Sequence, residues 1–428
     1  MKINNYKKLA KNKLREQALD IVNVGLEAID TKNIIKSHIK ITSRGLWVGA
    51  RRYSLKKINR IFVVGVGKCS VDAGEALEEV LGDKISGGIV FDVRTSKKLK
   101  IIKSYGGDHP FPSDKNIGET LKIIKLLNSL GRHDLVITVV SGGGSTLLCQ
   151  PDTMTCHEEK SIVEALFKSG ASIYEINTIR KHISLARGGF LAKYAYPARV
   201  ISLIFSDVPG DKKEFIASGP TMLDTTSIKD AEKIVKKYNL TKKFNISKIN
   251  FIETPKEKKY FRRVTNKIIV SNKTALKAMS KKAKLLGFYP KICNTCFVGE
   301  AKGFGKAVVY ELENLALRKA ILYGGETTVT ITGKGVGGRN QEVVLSALKN
   351  IKEGEIIIAL ASDGIDNTDH AGALADVETL RSAQKMGLNI DEYLKNNDSY
   401  TFFSKIGDFL DTGYTGSNVS DLVLALKK

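Results

Sequence analysis

Between residues 7 and 40 the apolar positions Leu9, Leu14, Ala18, Ile21, Val22 and Leu26 recur close to every 3.6 residues, which predicts amphipathic helices. From residue 61 the pattern changes. Apolar runs at 61–66, 88–93, 135–140 and 200–205 alternate with helical stretches. Such alternation predicts βαβ units and a mostly parallel sheet covered on both faces.

A lysine-rich, poorly apolar stretch at 242–259 interrupts this series, and further strand candidates follow at 267–270, 320–323, 327–332, 355–360 and 422–426. The stretch reads as a linker. An N-terminal α/β domain over 1–245 and a C-terminal α/β domain over 262–428 are expected. No internal repeat of fixed period is visible.

Composition narrows the class. The 428 residues are 42% hydrophobic and 26% charged with 8 prolines, which excludes collagen-like and wholly disordered chains. No apolar run approaches the roughly 18 residues of a membrane span. The basic start, MKINNYKKLAKNKLREQ, has no apolar stretch behind it, so no secretory signal is expected and the protein is placed in the cytoplasm. The net charge of +23 is concentrated at 1–60 (+11) and 229–291 (+15), leaving the rest slightly acidic. Lysines such as Lys229, Lys233, Lys236 and Lys237 fall at helix-face spacing without interleaved aromatics, so a solvated face is expected rather than a nucleic-acid partner. Five cysteines make no disulfide framework, and Cys293 and Cys296 form one CxxC without a second pair, so thiols are expected rather than zinc.

The glycine clusters carry the candidate chemistry. In open α/β sheets, ligands bind at the carboxyl ends of strands, where glycine lets backbone approach closely. Gly65-Val66-Gly67-Lys68-Cys69-Ser70 follows the strand at 61–66. It is no Walker A loop and only part of a dinucleotide fingerprint, with Asp92 ending the next strand where a ribose-binding acid would lie. Lys68 at a helix start opposes the macrodipole, so it is either partner to an anion or a surface lysine on a tight turn. Ser141, Gly142, Gly143, Gly144 and Ser145 follow the strand at 135–140, where backbone N–H groups suit phosphate or carboxylate.

Asp207 and Asp211 follow the strand at 200–205 and suit magnesium binding or general base work, although acids more often cap helices and turns. In the C-terminal half, Gly324-Gly325-Glu326-Thr327-Thr328 precedes a glycine-rich run that leads into Arg339-Asn340-Gln341. Arg339 is a second cation at a helix start, suited to clamping carboxylate or phosphate with its fork. Asp363 and Asp366 form another acid pair after a strand. Clusters in both halves, combining cations and acids, point to a cleft between domains and to phosphoryl transfer.

At these residues the chain resembles the type-2 glycerate kinase family, glycerate 2-kinases with a C-terminal MOFRL domain. The similarity runs through GVGKCS, GDHPFPSD, VVSGGGSTLL, NTIRKHISLARGGFLA, SDVPGDKKEFIASGPT, GGETTVTITGKGVGGRNQE and SDGIDNTDHAGA, in order from about residue 15 to 425. It implies a Rossmann-like N-terminal domain with a mostly parallel sheet and a smaller mixed α/β C-terminal domain. It also implies phosphorylation of D-glycerate to 2-phosphoglycerate with ATP and Mg2+ as cofactors. By motif position, the family's proposed catalytic lysine and arginine fall on Lys68 and Arg339. Asp207 is assigned to catalysis or metal binding and Asp363 to metal. Gly67, Ser141, Gly142, Gly143, Gly144, Ser145, Glu326, Thr327 and Asn340 are assigned to phosphate or substrate. In the last motif Asn367 replaces the family's usual Gly-Pro pair and His370 an alanine. D-glycerate is the expected small-molecule partner, no membrane partner is expected, and a homodimer is the assembly entertained. The competing reading is a nicotinamide-dependent hydroxypyruvate reductase using Asp92.

Overall fold

The computed structural model describes residues 1–94, 97–244 and 249–428; the expected end of the N-terminal domain at 245 lies outside the described residues. The chain divides into two compact units. The first comprises Thr31–Ser206 and Lys212–Ile269, and the second comprises Met1–Asp30, Asp207–Asp211 and Val270–Lys428.

The first unit opens with a small antiparallel sheet of β1 (Ile39–Thr42), β2 (Gly45–Val48) and β3 (Arg51–Tyr53). Six strands follow: β4 (Arg60–Val66), β5 (Ile85–Asp92), β6 (Lys103–Gly106), β7 (Asp134–Val140), β8 (Arg199–Phe205) and β9 (Val264–Val270). They lie in the order β6-β5-β4-β7-β8-β9. The pairs β4–β5, β5–β6, β4–β7 and β7–β8 are parallel. Every residue of β7 is buried, which is why the central strands read as unbroken apolar runs rather than alternating ones. Counted from β4 this is the doubly wound order, in which the chain builds outward to β6 and then restarts on the other side of β4. The reversal falls between β4 and β7. In such sheets ligands bind beyond the carboxyl ends of the strands that flank the reversal.

The second unit contains β10 (Tyr289–Phe297), β11 (Lys319–Gly325), β12 (Glu355–Ala361), β13 (Gly372–Asp376), β14 (Phe409–Leu410) and β15 (Asp421–Lys427), in the order β10-β11-β15-β12-β13-β14. Only β10–β11 is parallel; the other pairs are antiparallel. Because β15 runs against both neighbours, its first residue Asp421 pairs with the last residues of β11 and β12, Gly325 and Ala361. One sheet end thereby collects three chain segments remote in sequence.

The first thirty residues belong to the second unit. Helix Lys13–Ala28 packs on helix Asn272–Leu285 at Gly25, where an added Cβ would lie 2.6 Å from Met279 Cγ. Arg15, fully buried, donates Nε and Nη2 to Asp376 at 2.6 Å each, and reaches Asp408 at 2.8 and 2.9 Å. Such a fork fixes both distance and orientation.

Three expectations differ from this division. The segment read as the first strand of the C-terminal series is β9, the sixth strand of the parallel sheet. Residues 327–332 form no strand beyond a single bridge between Thr328 and Glu300, and Thr332 instead donates its amide to Asn397 at 2.7 Å. The linear boundaries also miss that 1–30 and 207–211 sit with the C-terminal residues. Tertiary pairing, not local apolar pattern, decides all three.

Candidate functional site

At the switch point of the first unit the two glycine loops expected to bind anions meet. Ser141 N donates to Val66 O (3.0 Å), Lys68 N to Gly142 O (2.9 Å) and Cys69 N to Ser141 Oγ (3.4 Å). This closeness depends on Gly67, whose φ is +119° and whose added Cβ would lie 2.2 Å from Ser141 Oγ and 2.6 Å from Ser141 O. Gly143, at φ +81°, leaves room for the Lys68 stem, since a Cβ there would lie 3.3 Å from Lys68 Cγ. Gly144 faces Ala217, where a Cβ would stand 2.6 Å from the alanine methyl. The amides of Lys68 and Gly144 donate within the loops, the latter to Ser141 O at 3.2 Å, so these two N–H groups serve loop geometry. Helix Ser70–Leu81 starts two residues after the lysine, with Cys69 between them at the N-cap.

Further residues, from the runs NTIRKHISLARGGFLA and SDVPGDKKEFIASGPT but given no role in the sequence analysis, are anchored to the same loops. Ser218 Oγ donates to Asn177 Oδ1 (2.7 Å), so Ser145 Oγ, 2.9 Å away, donates to Ser218. Ala217 and Ser218 are both buried at positive φ, +49° and +56°. Backbone strain of this kind is retained where the surroundings over-determine it, most often at sites. Asn177 lies on helix Ile173–His182, and Arg180 follows it by one turn on the same face. The Arg180 guanidinium has no hydrogen-bond or ion-pair partner among the described residues. Burial, reinforced by nearby Arg187, pushes it down to about 10. Arg187 is itself fully buried, with Nη2 on Glu159 at 2.6 Å, Nη1 on Arg180 O at 3.3 Å, and an unpartnered Nε. Two cations against one carboxylate leave a net positive charge in a poorly solvated place, which favours an anionic ligand. These cations fall in the run NTIRKHISLARGG, which sets Arg180, Lys181, His182 and Arg187 within eight positions.

Asp92 does other work. It is fully buried at the end of β5 and accepts from Val71 N (3.2 Å), Arg94 N (3.2 Å) and the Arg94 guanidinium (3.1 Å to Nη2). The carboxylate caps the helix after Lys68 and is covered by Arg94, so it is not presented to a ribose.

In the second unit the register around β15 gathers the remaining candidates at one sheet end. Asp421 holds Arg339 with both oxygens, Nε at 2.6 Å and Nη2 at 3.0 Å, while Nη1 reaches Glu326 at 2.7 Å. Burial works against this guanidinium's charge; Asp421 and Glu326 more than offset it, raising its pKa above the ordinary arginine value. The fork expected to clamp a ligand is therefore held by Asp421. Asp366 accepts from Asn340 N (3.1 Å), Gln341 N (2.9 Å) and Asn340 Nδ2 (3.1 Å), capping helix Arg339–Leu348. Only glycine fits at 338, where a Cβ would lie 2.2 Å from the Asp366 carboxylate. Burial, with Asp421 nearby, pushes Asp366 up to about 6. Asn340 thus fastens Asp366, and Thr327 is buried with an unpartnered Oγ1.

Asp207 joins the same cluster. Its Oδ2 accepts from Asn418 Nδ2 (3.4 Å) and its carbonyl from Ser420 Oγ, next to Asp421. Asp363 is buried, and its Oδ1 accepts from Ile365 N (3.1 Å). Its neighbour Ser362 is tied to this segment through Val419 N (2.8 Å). The segment 414–421 supplies these anchors and carried no glycine-cluster signal. Among the described residues no group of three or more His, Cys, Asp or Glu side chains gathers as a metal cage. Cys293 and Cys296 are free thiols. His370 stacks on Phe409 at 3.8 Å, and Asn367 takes φ +58° and donates to Gly337 O.

A doubly wound sheet with paired glycine loops and a lysine at its switch point, together with a mixed-sheet unit whose arginine and carboxylates converge, defines the class: two-unit α/β proteins that handle anionic ligands. The model of a domain of unknown function, DUF4147, matches residues 17–253, and the MOFRL family model matches residues 319–421. The chain belongs to the glycerate 2-kinase family. It is 35% identical to the glycerate 2-kinase of Pyrococcus horikoshii, covering 96% of this chain and 97% of that one. The D-glycerate 2-kinase of Thermotoga maritima is 35% identical over 96% of this chain and 98% of its own. A crystal structure of glycerate kinase from Thermotoga maritima superimposes with a TM-score of 0.83 at 34% identity, covering 96% of this chain and 99% of that one. A protein of Agrobacterium vitis named putative hydroxypyruvate reductase is 36% identical over 85% of this chain and 86% of its own. No helix among the described residues is long and apolar enough to cross a membrane.

Proposed function

We propose that the chain transfers the terminal phosphoryl group of ATP to the C2 hydroxyl of D-glycerate, giving 2-phosphoglycerate and ADP in the cytoplasm. The observation that carries this reading is the meeting of Gly67-Lys68 with Ser141–Ser145 at the switch point, an arrangement suited to phosphate. Catalysis of phosphoryl transfer is mostly positioning and neutralisation of charge. Lys68 neutralises charge on the transferring group, while the loop at 141–145 orients phosphate oxygens. Arg180 pairs with a carboxylate or phosphate of the substrates, which supplies the acceptor its guanidinium lacks.

In the second unit Asp207 accepts the proton of the attacking hydroxyl or binds magnesium, and Arg339 is aimed by Asp421 and Glu326 toward anionic ligand oxygens. Asp207 and Asp363 offer hard carboxylate oxygens, which suits an ion that keeps waters and takes further ligands from phosphates. Bound there, Mg2+ would supply charge neutralisation on those phosphates. The acceptor oxygen forms its bond to phosphorus as the bond to the ADP oxygen breaks.

The test is incubation with D-glycerate, ATP and magnesium, followed by separation of 2- from 3-phosphoglycerate. Formation of 2-phosphoglycerate is expected; 3-phosphoglycerate would refute the regiochemistry, and no phosphorylated product would refute the kinase reading. The reductase reading, carried by the names of the Agrobacterium vitis relatives, is opposed by the engagement of Asp92 with Val71 and Arg94. NADH consumption with hydroxypyruvate would revive it.

A further inference from the structure

A cavity of about 550 Å³ opens at the amino-terminal edge of the parallel sheet, where β7 and β8 begin with Asp134 and Arg199. The switch-point loops follow the opposite ends of these strands, so a strand length of about 20 Å separates the two places. Arg51, Arg52, Arg132, Arg199 and Arg263 all line this cavity. The whole chain has fifteen arginines among 68 basic residues, so one third of them converge on a lining of twelve residues. Lys56 and Lys57 add two further cations.

Acidic partners are missing. Asp134, the one carboxylate in the lining, is already held by Arg60 at 2.7 and 3.0 Å, and by Gly131 N. None of the five arginines makes an ion pair among the described residues. Arg263 instead donates to two backbone carbonyls, Arg132 O at 2.8 Å and Pro197 O at 2.9 Å. Burial, then Arg199 and Arg132, lowers its pKa. In the same unit the buried Lys181 has a carboxylate, Asp224, at 2.9 Å. Arginines held together without counter-charge repel one another, and a multiply charged anion relieves that repulsion.

Arginine in preference to lysine suits phosphate, whose oxygens accept the planar fork bidentately. The size of the cavity is that of a small-molecule site. A nucleic-acid strand would call for an aromatic platform. The one tyrosine in the lining, Tyr53, is buried beneath the guanidinium groups of Arg51 (5.3 Å) and Arg199 (5.7 Å), so it offers no face for a base to stack on.

We propose that this groove is a second ligand site, separate from the switch point, that binds a small molecule carrying two or more phosphate groups. The proposal does not depend on the phosphotransfer reading. Its test is isothermal titration calorimetry of the full chain with inorganic tripolyphosphate. Three proteins are compared: the parent, Lys68→Ala, and the double variant Arg51→Gln/Arg132→Gln. Both of the latter side chains are exposed, and circular dichroism together with retained turnover would establish that the double variant is folded. Lys68→Ala should keep a tripolyphosphate site. The double variant should lose that site or bind at least roughly tenfold more weakly, with turnover of D-glycerate unchanged. Parental binding by the double variant would overturn the proposal, as would complete loss of binding in Lys68→Ala. Duplex or single-stranded DNA bound tightly at the groove and not displaced by tripolyphosphate would overturn it in favour of a nucleic-acid surface.

Discussion

Gly67→Ala tests whether the approach of the two switch-point loops holds the site together. The added methyl would stand 2.2 Å from Ser141 Oγ, 2.6 Å from Ser141 O and 2.8 Å from Gly142 O, and two of these three atoms are backbone. No rotamer change relieves that overlap, so the loops must part. Their parting breaks the hydrogen bonds from Lys68 N and Cys69 N, at about 1 kcal/mol each. The backbone at φ +119° adds about 1–3 kcal/mol for a residue with a side chain. The sum is about 3–5 kcal/mol, a large share of a domain's stability.

The control is Gly170→Ala, which also places alanine at positive φ (+70°) but has nothing within 4 Å of the added methyl. It should cost about 1 kcal/mol, the backbone contribution alone. Urea unfolding read on the first unit measures both variants, and turnover of D-glycerate is measured alongside. The expected result is a gap of at least about 2 kcal/mol between them, with kcat reduced only in Gly67→Ala. Equal stabilities, or parental turnover in Gly67→Ala, would refute the reasoning.

Lys68→Ala should lower kcat by roughly a hundredfold or more, whereas Arg180→Gln should mainly raise a substrate's KM; steady-state kinetics that reversed this split would exchange the two roles. Arg339→Lys keeps charge but cannot answer both oxygens of Asp421, so kcat/KM should fall markedly, and parental values would reduce Arg339 to diffuse charge. Asp207→Asn should be severely impaired; recovery at high magnesium assigns Asp207 to the metal, and low kcat with unchanged magnesium dependence assigns it to the proton. Arg15→Ala should destabilise the second unit by about 3–5 kcal/mol, because the buried Asp376 loses its counter-charge and Asp408 keeps only Lys11 at 2.9 Å. Burial raises Asp376 and Asp408, but Arg15 outweighs it and holds both below the ordinary range. Their contribution is therefore present above the unfolded pKa of about 3.9 and lost as pH falls through the folded values, so the gap between parent and variant should narrow below about pH 4.

Much of the first unit was legible because its strands are buried on both faces. The runs at 61–66 and 135–140 match β4 and β7 to within a residue, and the glycines after them mark the switch point. Legibility failed where pairing is not local. β10 is partly exposed along most of its length, so no apolar run announced it. The run at 267–270 looked like the start of a new series because nothing in its own pattern says which sheet it will join. The site followed the same rule. Gly67, Lys68 and the loop at 141–145 carried a signal in glycine spacing. Ser218, Asn177 and Asp421 owe their places to side-chain hydrogen bonds and sheet register, neither of which has a sequence period.

The grip of Arg15 on Asp376 and Asp408 has a consequence for synthesis. Those partners lie 361 and 393 residues further along the chain. At about 5–20 residues per second, roughly 20–80 seconds pass between translation of the arginine and of its second carboxylate. During that interval the parallel sheet can complete itself, since its six strands all precede residue 271, while helix Lys13–Ala28 must wait on the ribosome with an apolar face exposed. Nascent chains stalled before residue 408 should thus hold a protease-resistant first unit and a cleavable amino terminus, and a chaperone that shields amphipathic helices would find its client in the first thirty residues.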